Sequence, residues 1–210
     1  MKVMLVNGSP HPKGCTNMAL DIVGAALNQE GIKTQPFWIG NKPIAGCLGC
    51  GWCRGHGACH YDDVVNNFLD QAADADGFVF GAPVHFASAA ASMIAFMNRA
   101  FFADQLAGLG RFVHKPGAAV VSARRAGTTA ALEELNKYLM YAEMPVATSR
   151  YWNMIHGNTP EEVLQDEEGV QILRVLGKNM AWLMKSIEAG KAAGLEAPGR
   201  EKRINTNFIR

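Results

Sequence analysis

The sequence is short of charge. Asp, Glu, Lys and Arg make up 19% of its 210 residues, against about a quarter in an average soluble chain. Part of the surface is therefore expected to be covered by a partner or a second subunit. Neither sign dominates, since twenty basic and nineteen acidic residues leave a formal charge of +1. That balance excludes the broad basic field that nucleic acid or an anionic membrane needs. No export signal is expected, because the apolar run at 3–6 is far shorter than a signal-peptide core. Residues 77–98 carry no charged side chain and are long enough to span a bilayer. Gly81, Pro83, His85 and Ser88 interrupt them, so the run reads as a buried strand, a loop and a buried helix. The protein is expected to be cytoplasmic, with neither a membrane nor a nucleic-acid partner.

Three phosphate-binding signatures are also missing. A Walker loop needs four residues before Gly-Lys-Ser/Thr, but five separate Gly8 from Gly14, and Cys15 replaces the lysine. The dinucleotide pattern G-x-G-x-x-G fails at Pro10. A phosphatase-type Cys-x5-Arg loop would need arginine where Asp21 stands.

Apolar residues at 49% support one full core and exclude disorder. The pattern alternates strands at 3–6, 34–39, 77–81, 118–121 and 145–149 with helices. The helices fall at 16–28, from Asp62-Asp63 through Phe68 and Leu69, at 89–102, at 128–141 and from about 160 to 187. Five strands alternating with helices imply an α/β fold, a doubly wound parallel sheet with helices on both faces. Residues 1–188 read as one domain and 189–210 as a polar tail or arm. In such sheets ligands sit beyond the carboxyl ends of strands, at the switch in strand order. The loops 7–16, 82–87 and 122–128 qualify.

The first loop has the makings of a phosphate cradle. Ser9, Thr16 and Asn17 supply donors, Gly8 and Gly14 permit close backbone approach, and a helix dipole follows. The second loop offers Pro83, Val84, His85 and Phe86 as an apolar wall. The third offers Ser122, Ala123, Arg124 and Arg125, with backbone N–H groups beside Gly127. Trp152, just after the expected fifth strand, could close one edge. A flat ring with a phosphate tail would fill this set. The alternatives are a plain helix cap, a surface salt bridge at Arg124 and Arg125, and a core aromatic at Trp152.

Gly8-Ser9-Pro10 through Thr16-Asn17, then Gly81-Ala82-Pro83-Val84 and Ala123-Arg124-Arg125-Ala126-Gly127, resemble the NADPH-dependent FMN reductase family of flavodoxin-like proteins. The resemblance covers residues 1 to about 188. It implies strand order 2-1-3-4-5 and bound FMN, with its phosphate on Ser9, Gly14, Cys15, Thr16 and Asn17. It places the isoalloxazine ring near 83–86 and 122–127. Many members have arginine in place of His11 and asparagine or serine in place of Cys15. A neutral His11 offers less charge to the phosphate, so either Lys13 compensates or FMN binds weakly.

The loop 40–61 carries Cys47, Cys50, Cys53 and Cys59 as C-x2-C-x2-C-x5-C. Four thiols at this spacing suit a [4Fe–4S] cluster or a four-cysteine zinc site; free thiols or a redox disulfide are the alternatives. His56 and His60 are candidate substitute ligands, with plain exposure in the loop as the commoner alternative. The spacing also resembles the motif of the iron–sulfur flavoproteins, a branch of the same family. Together the resemblances imply an oxidoreductase that passes electrons from NADPH or NADH through FMN to a cluster, a small-molecule acceptor or a redox protein. No catalytic side chain is required, because the chemistry belongs to the cofactor. A cluster-free FMN or quinone reductase is the alternative enzyme, and a flavodoxin-like electron carrier the alternative outside catalysis. Met93, Phe96, Met97, Phe101 and Phe102 give one helix more apolar surface than a sheet face covers, so a homo-oligomer, dimer or tetramer, is expected.

Overall fold

The computed structural model describes residues 1–201, 204–206 and 208. In chain order the elements are β1 (Lys2–Asn7), α1 (Cys15–Gln29), β2 (Lys33–Trp38), α2 (Cys53–His56) and α3 (Val64–Ala72). They continue with β3 (Gly77–His85), β4 (Ser88–Ala89), α4 (Ala91–Ala107), β5 (Gly117–Ala123) and α5 (Thr128–Tyr141). The last are β6 (Met154–His156), α6 (Pro160–Val163) and α7 (Glu167–Ala192). The sheet runs β2-β1-β3-β5-β6. Each neighbouring pair is parallel, and β4 folds back antiparallel on β3. The flavodoxin-like order 2-1-3-4-5 therefore holds for the five parallel strands.

Parallel central strands are covered on both faces, so they must be apolar throughout. Val3, Met4, Leu5 and Val6 meet this in β1, and Phe78, Val79 and Phe80 in β3. One face packs on α1 and α7, through Leu5, Val23, Leu27, Leu176 and Met180. The other packs on α3, α4 and α5 through a cluster of rings, in which Phe68 lies 5.0–6.1 Å from Phe37, Phe78, Phe80, Phe96 and Phe112. Caps define the helix starts. Asp63 accepts the Val65 N–H at 3.0 Å, as expected of a carboxylate at an N-terminus. Thr159 and Asp166 cap α6 and α7.

Four sequence expectations are corrected. Residues 145–149 form no strand; they make a single bridge, Gly117 with Val146. Asn153 then fills the edge of β5, accepting the Val121 N–H at 3.0 Å and donating its amide to Ala119 at 3.1 Å. The fifth parallel strand follows as β6, so Trp152 lies before that strand instead of after it. Residues 82–85 continue β3 rather than forming a loop, and only Phe86 and Ala87 turn the chain into β4. The last helix is two helices, broken between Val163 and Glu167 where Asp166 caps the second. Helix α7 runs on to Ala192, into the expected tail. The rest of that tail lies partly outside the described residues.

The uncharged run 77–98 is β3, β4 and the first half of α4, and no described helix is long and apolar enough to cross a membrane. Met93, Phe96, Met97 and Phe101 are buried within the chain itself; among the five apolar residues assigned to a subunit contact, Phe102 is partly exposed. The surplus apolar face expected on α4 is thus covered without a second subunit.

Candidate functional site

The carboxyl ends of β1, β3 and β5 meet at one rim. The Gly8 N–H donates to Gly81 at 2.8 Å, joining the first loop to β3. The hydroxyls of Thr16 and Ser122 are 2.8 Å apart and buried, joining the start of α1 to β5. At Gly127 a Cβ would lie 2.7 Å from the Ala87 Cα, so the loop after β5 rests directly on the β3–β4 turn.

Within the first loop, Asn7 is buried and its Oδ1 accepts the Ser9 N–H at 2.9 Å. Ser9 Oγ in turn accepts the His11 N–H at 3.1 Å, and Trp38 Nε1 donates to the Ser9 carbonyl at 2.8 Å. These contacts hold the loop open over α1. Gly14 is the N-cap of helix α1 and offers no side-chain cap, so the N–H groups of the first turn have no intrahelical partner. Asn17 donates to Asp21 at 2.7 Å, and burial pushes the Asp21 carboxyl up. His11 and Lys13 are exposed beside the cradle. Cys15 donates to the Gly157 carbonyl at 3.6 Å. Burial pushes its thiol up, its own backbone N–H acts the other way, and Glu162 and Glu161 add to the rise. This is a packed thiol, not an activated one.

Of the second loop, Pro83 and Val84 are partly buried, while His85 and Phe86 are exposed. Phe86 and Ala87 both have positive φ, 52° and 60°. Glu134 clamps this strained turn: its Oε2 accepts from Ser88 Oγ at 2.6 Å and from the Ala89 N–H at 3.1 Å. In the third loop Ser122 and Ala123 are buried, and Arg124 and Arg125 point to solvent. Trp152 is exposed, edge-on to Tyr151 at 4.4 Å. A groove of about 710 Å³ runs from His85 and Phe86 along Ile94 and Asn98 of α4 to Cys47.

The four cysteines of the 40–61 segment line one small cavity with Tyr61, Phe102 and Arg99. Cys53 is buried in α2, Cys59 is half-buried, and Cys47 and Cys50 are exposed. Burial pushes the Cys53 thiol up, and Cys59, Cys47 and Cys50 add to the rise against its own backbone N–H. The cavity holds about 20 Å³, room for about one water. Among the described residues no group of three or more His, Cys, Asp or Glu side chains is arranged to hold a metal ion. His60 lines the cavity, whereas His56 stacks on Trp52 at 3.6 Å.

Beneath the cavity is a residue that the sequence did not single out. Arg99 of α4 has a side chain with no exposed area. Burial alone would lower its pKa, but Asp63 and then Cys59 outweigh it and hold the guanidinium above its ordinary value. The available signal was position: Arg99 ends the uncharged run on a buried helix, where a charge must have a partner. Asn7, Trp38 and Glu134 were missed for lack of any such signal.

Residues 1–159 match the NADPH-dependent FMN reductase family. The chain belongs to that family. It is accordingly an FMN-dependent oxidoreductase. It is 29% identical over 196 residues to an iron–sulfur flavoprotein of Methanocaldococcus jannaschii, covering 90% of this chain and all of that one. It is 26% identical over 200 residues to an iron–sulfur flavoprotein of Methanosarcina thermophila, covering 91% and 99%. Among solved structures, RosB with a bound flavin intermediate superposes with a TM-score of 0.71 at 14% identity, over 100% of this chain and 93% of that one. An archaeal flavodoxin superposes at 0.58 and 16% identity, over 88% and 99%. At these identities the two structures show a shared fold.

Proposed function

We propose that this reductase takes hydride from NADPH or NADH onto FMN at the rim, and passes the electrons to a [4Fe–4S] cluster on Cys47, Cys50, Cys53 and Cys59 or to a small-molecule acceptor. The observation that carries the reading is the meeting of three loops: Gly8 on Gly81, Thr16 on Ser122 and Gly127 on Ala87. When bound, FMN supplies the conversion of a two-electron hydride donor into single-electron steps.

The chain's own work is positioning. The first-turn N–H groups of α1, with Ser9, Gly14, Cys15, Thr16 and Asn17, hold the phosphate, and Lys13 and His11 stand beside it. The Thr16 hydroxyl is occupied by Ser122, so its backbone N–H is its contribution. Pro83, Val84, His85 and Phe86 bound one side of the ring. Ser122, Ala123, Arg124, Arg125 and Gly127 bound the other, where backbone N–H groups stabilise negative charge. Trp152 closes the edge next to β6. The groove toward Cys47 admits a flat acceptor.

For the cluster, the support is donor chemistry. Four thiols distributed around a cavity suit a polynuclear group, in which each iron takes one thiolate, better than a single ion. The cavity must widen to admit it. The wall bearing Cys47 and Cys50 is exposed and outside helix or strand, so little opposes that movement. Exposed Leu48, Trp52 and Phe102 around this wall are the apolar surface a second copy would cover.

A visible spectrum of anaerobically purified protein, with iron and sulfide assay, tests the whole. A flavin band bleached by NADPH or NADH, together with iron and sulfide, is expected. Protein that cannot be loaded with FMN ends the proposal; FMN without iron or sulfide leaves the cluster-free reductase.

A further inference from the structure

The Arg99 guanidinium has each of its nitrogens assigned. Nε donates to Cys59 Sγ at 3.2 Å. Nη1 and Nη2 take the two oxygens of Asp63 at 2.6 and 3.0 Å. Nη2 also donates to the Tyr61 carbonyl at 3.3 Å, and the Tyr61 ring centre lies 4.8 Å from the guanidinium carbon. Stability gives little reason to keep such a pair, because a buried ion pair is commonly matched by apolar residues of similar volume. Asp63 needs no arginine for its own role either, since its cap of α3 uses the Val65 N–H. What remains unexplained is the N–H aimed at a sulfur.

We propose that Arg99 is a positioning residue for the cluster: it fixes the Cys59 sulfur and, through the N–H and charge it directs there, favours the one-electron-reduced state of the group bound by the four cysteines. The inference rests on the cluster reading above. Reduction adds one electron and one negative charge, with no bond made or broken and no proton required. Hydrogen bonds and positive charge at a ligand sulfur therefore raise the reduction potential, and burial strengthens the effect. Asp63 partly cancels the charge and so sets how far the potential rises.

The test compares wild-type, R99Q, R99K and D63N proteins, loaded with FMN and reconstituted with iron and sulfide under argon. Iron and sulfide content is measured, and the cluster midpoint is followed by electron paramagnetic resonance during dithionite titration. In R99Q the reduction equilibrium is expected to fall about tenfold, which is about 59 mV more negative for one electron. R99K keeps the charge but loses the fork that reaches both Asp63 and the sulfur, and falls between. D63N keeps the cap, since asparagine caps as well as aspartate, but leaves the guanidinium uncompensated, so its midpoint moves positive. A purely structural Arg99 lowers cluster content without moving midpoints in opposite directions. Shared midpoints, or R99Q and D63N moving the same way, overturn the proposal. If R99Q does not fold, the signs in R99K and D63N decide. Wild-type protein that takes up no iron and sulfide overturns the cluster reading, and this inference with it; uptake with unmoved midpoints overturns the role of Arg99 alone.

Discussion

Replacing Gly127 by alanine tests whether the flavin rim depends on direct contact between the loops after β3 and β5. Two costs combine there. Gly127 has φ +97°, and a left-handed conformation costs an L residue about 1–2 kcal/mol. The new methyl would also sit 2.7 Å from the Ala87 Cα and 2.9 Å from Val84 Cγ1. The first of these is backbone, so the turn itself must shift, at about 1–3 kcal/mol for overpacking. The total is about 2–5 kcal/mol, or a melting point lower by about 4–20 °C at this chain length. Two controls separate the costs. Gly31 has φ +79° and nothing within 4 Å, so G31A carries the backbone cost alone. At Gly8 a methyl would meet Met93 Sδ at 2.6 Å and the Gly81 carbonyl at 2.9 Å, so G8A carries contact alone. Thermal unfolding should be recorded with and without FMN. A ligand at 100-fold over its Kd stabilises by about 2.7 kcal/mol. That increment should shrink in G127A and G8A and survive in G31A. If G127A melts with G31A and keeps the full FMN increment, the two loops do not form one site.

Two further expectations follow from single contacts. E134A removes the one carboxylate oxygen that accepts from both Ser88 and Ala89, costing about 2–3 kcal/mol for hydrogen bonds to a charged group and weakening FMN through the released turn; E134Q, which keeps a carbonyl oxygen there, should lose less than half as much by urea unfolding and flavin fluorescence titration. Burial pushes the Lys115 pKa below 10.5, although Asp76, Asp104 and Asp74 pull it up. Between the lowered folded value and 10.5 only the unfolded chain holds the proton, so stability rises with pH across that window. K115Q should flatten this rise in urea unfolding curves, and an unchanged slope would refute it.

Much of the fold was legible because local signals agreed with tertiary ones. Helix α5 lies at Thr128–Tyr141, where the sequence reading has it, behind Gly127, whose φ of 97° suits glycine. Where signals were weak, neighbours decided. Pro145-Val146-Ala147 reads as a strand, yet Pro145 has no N–H for a ladder, and the edge is completed by Asn153 and the three residues of β6. The β3–β4 turn was illegible for a related reason. Two-residue hairpins that need positive φ are normally announced by Asn-Gly or Asp-Gly, and here Phe86-Ala87 takes that conformation. It is held by Glu134 and by contact with Gly127, from elements more than thirty residues away. The burial of α4 is legible in its uncharged, apolar run, but which neighbours cover Phe96 and Phe101 is not, since the rings come from β2, α3 and β3 instead of a second subunit.

The candidate site was legible in the same uneven way. The donors of the first loop and the four cysteines announce themselves by type and spacing, but what joins the two places does not. Helix α4 does this. Its Met93 is the residue a side chain at Gly8 would strike, at the floor of the first loop. Its Arg99 reaches the Cys59 sulfur at 3.2 Å. Six residues at 1.5 Å each put these contacts about 9 Å apart along one helix axis, and Ile94 and Asn98 line the groove between the β3–β4 turn and Cys47. Helices buried on nearly all sides move little without their neighbours, so α4 fixes the flavin rim and the cysteine cavity relative to each other. The uncharged run that imitates a membrane span supplies β3, β4 and the first half of this helix, and Arg99, the charge that ends it, lines the cysteine cavity.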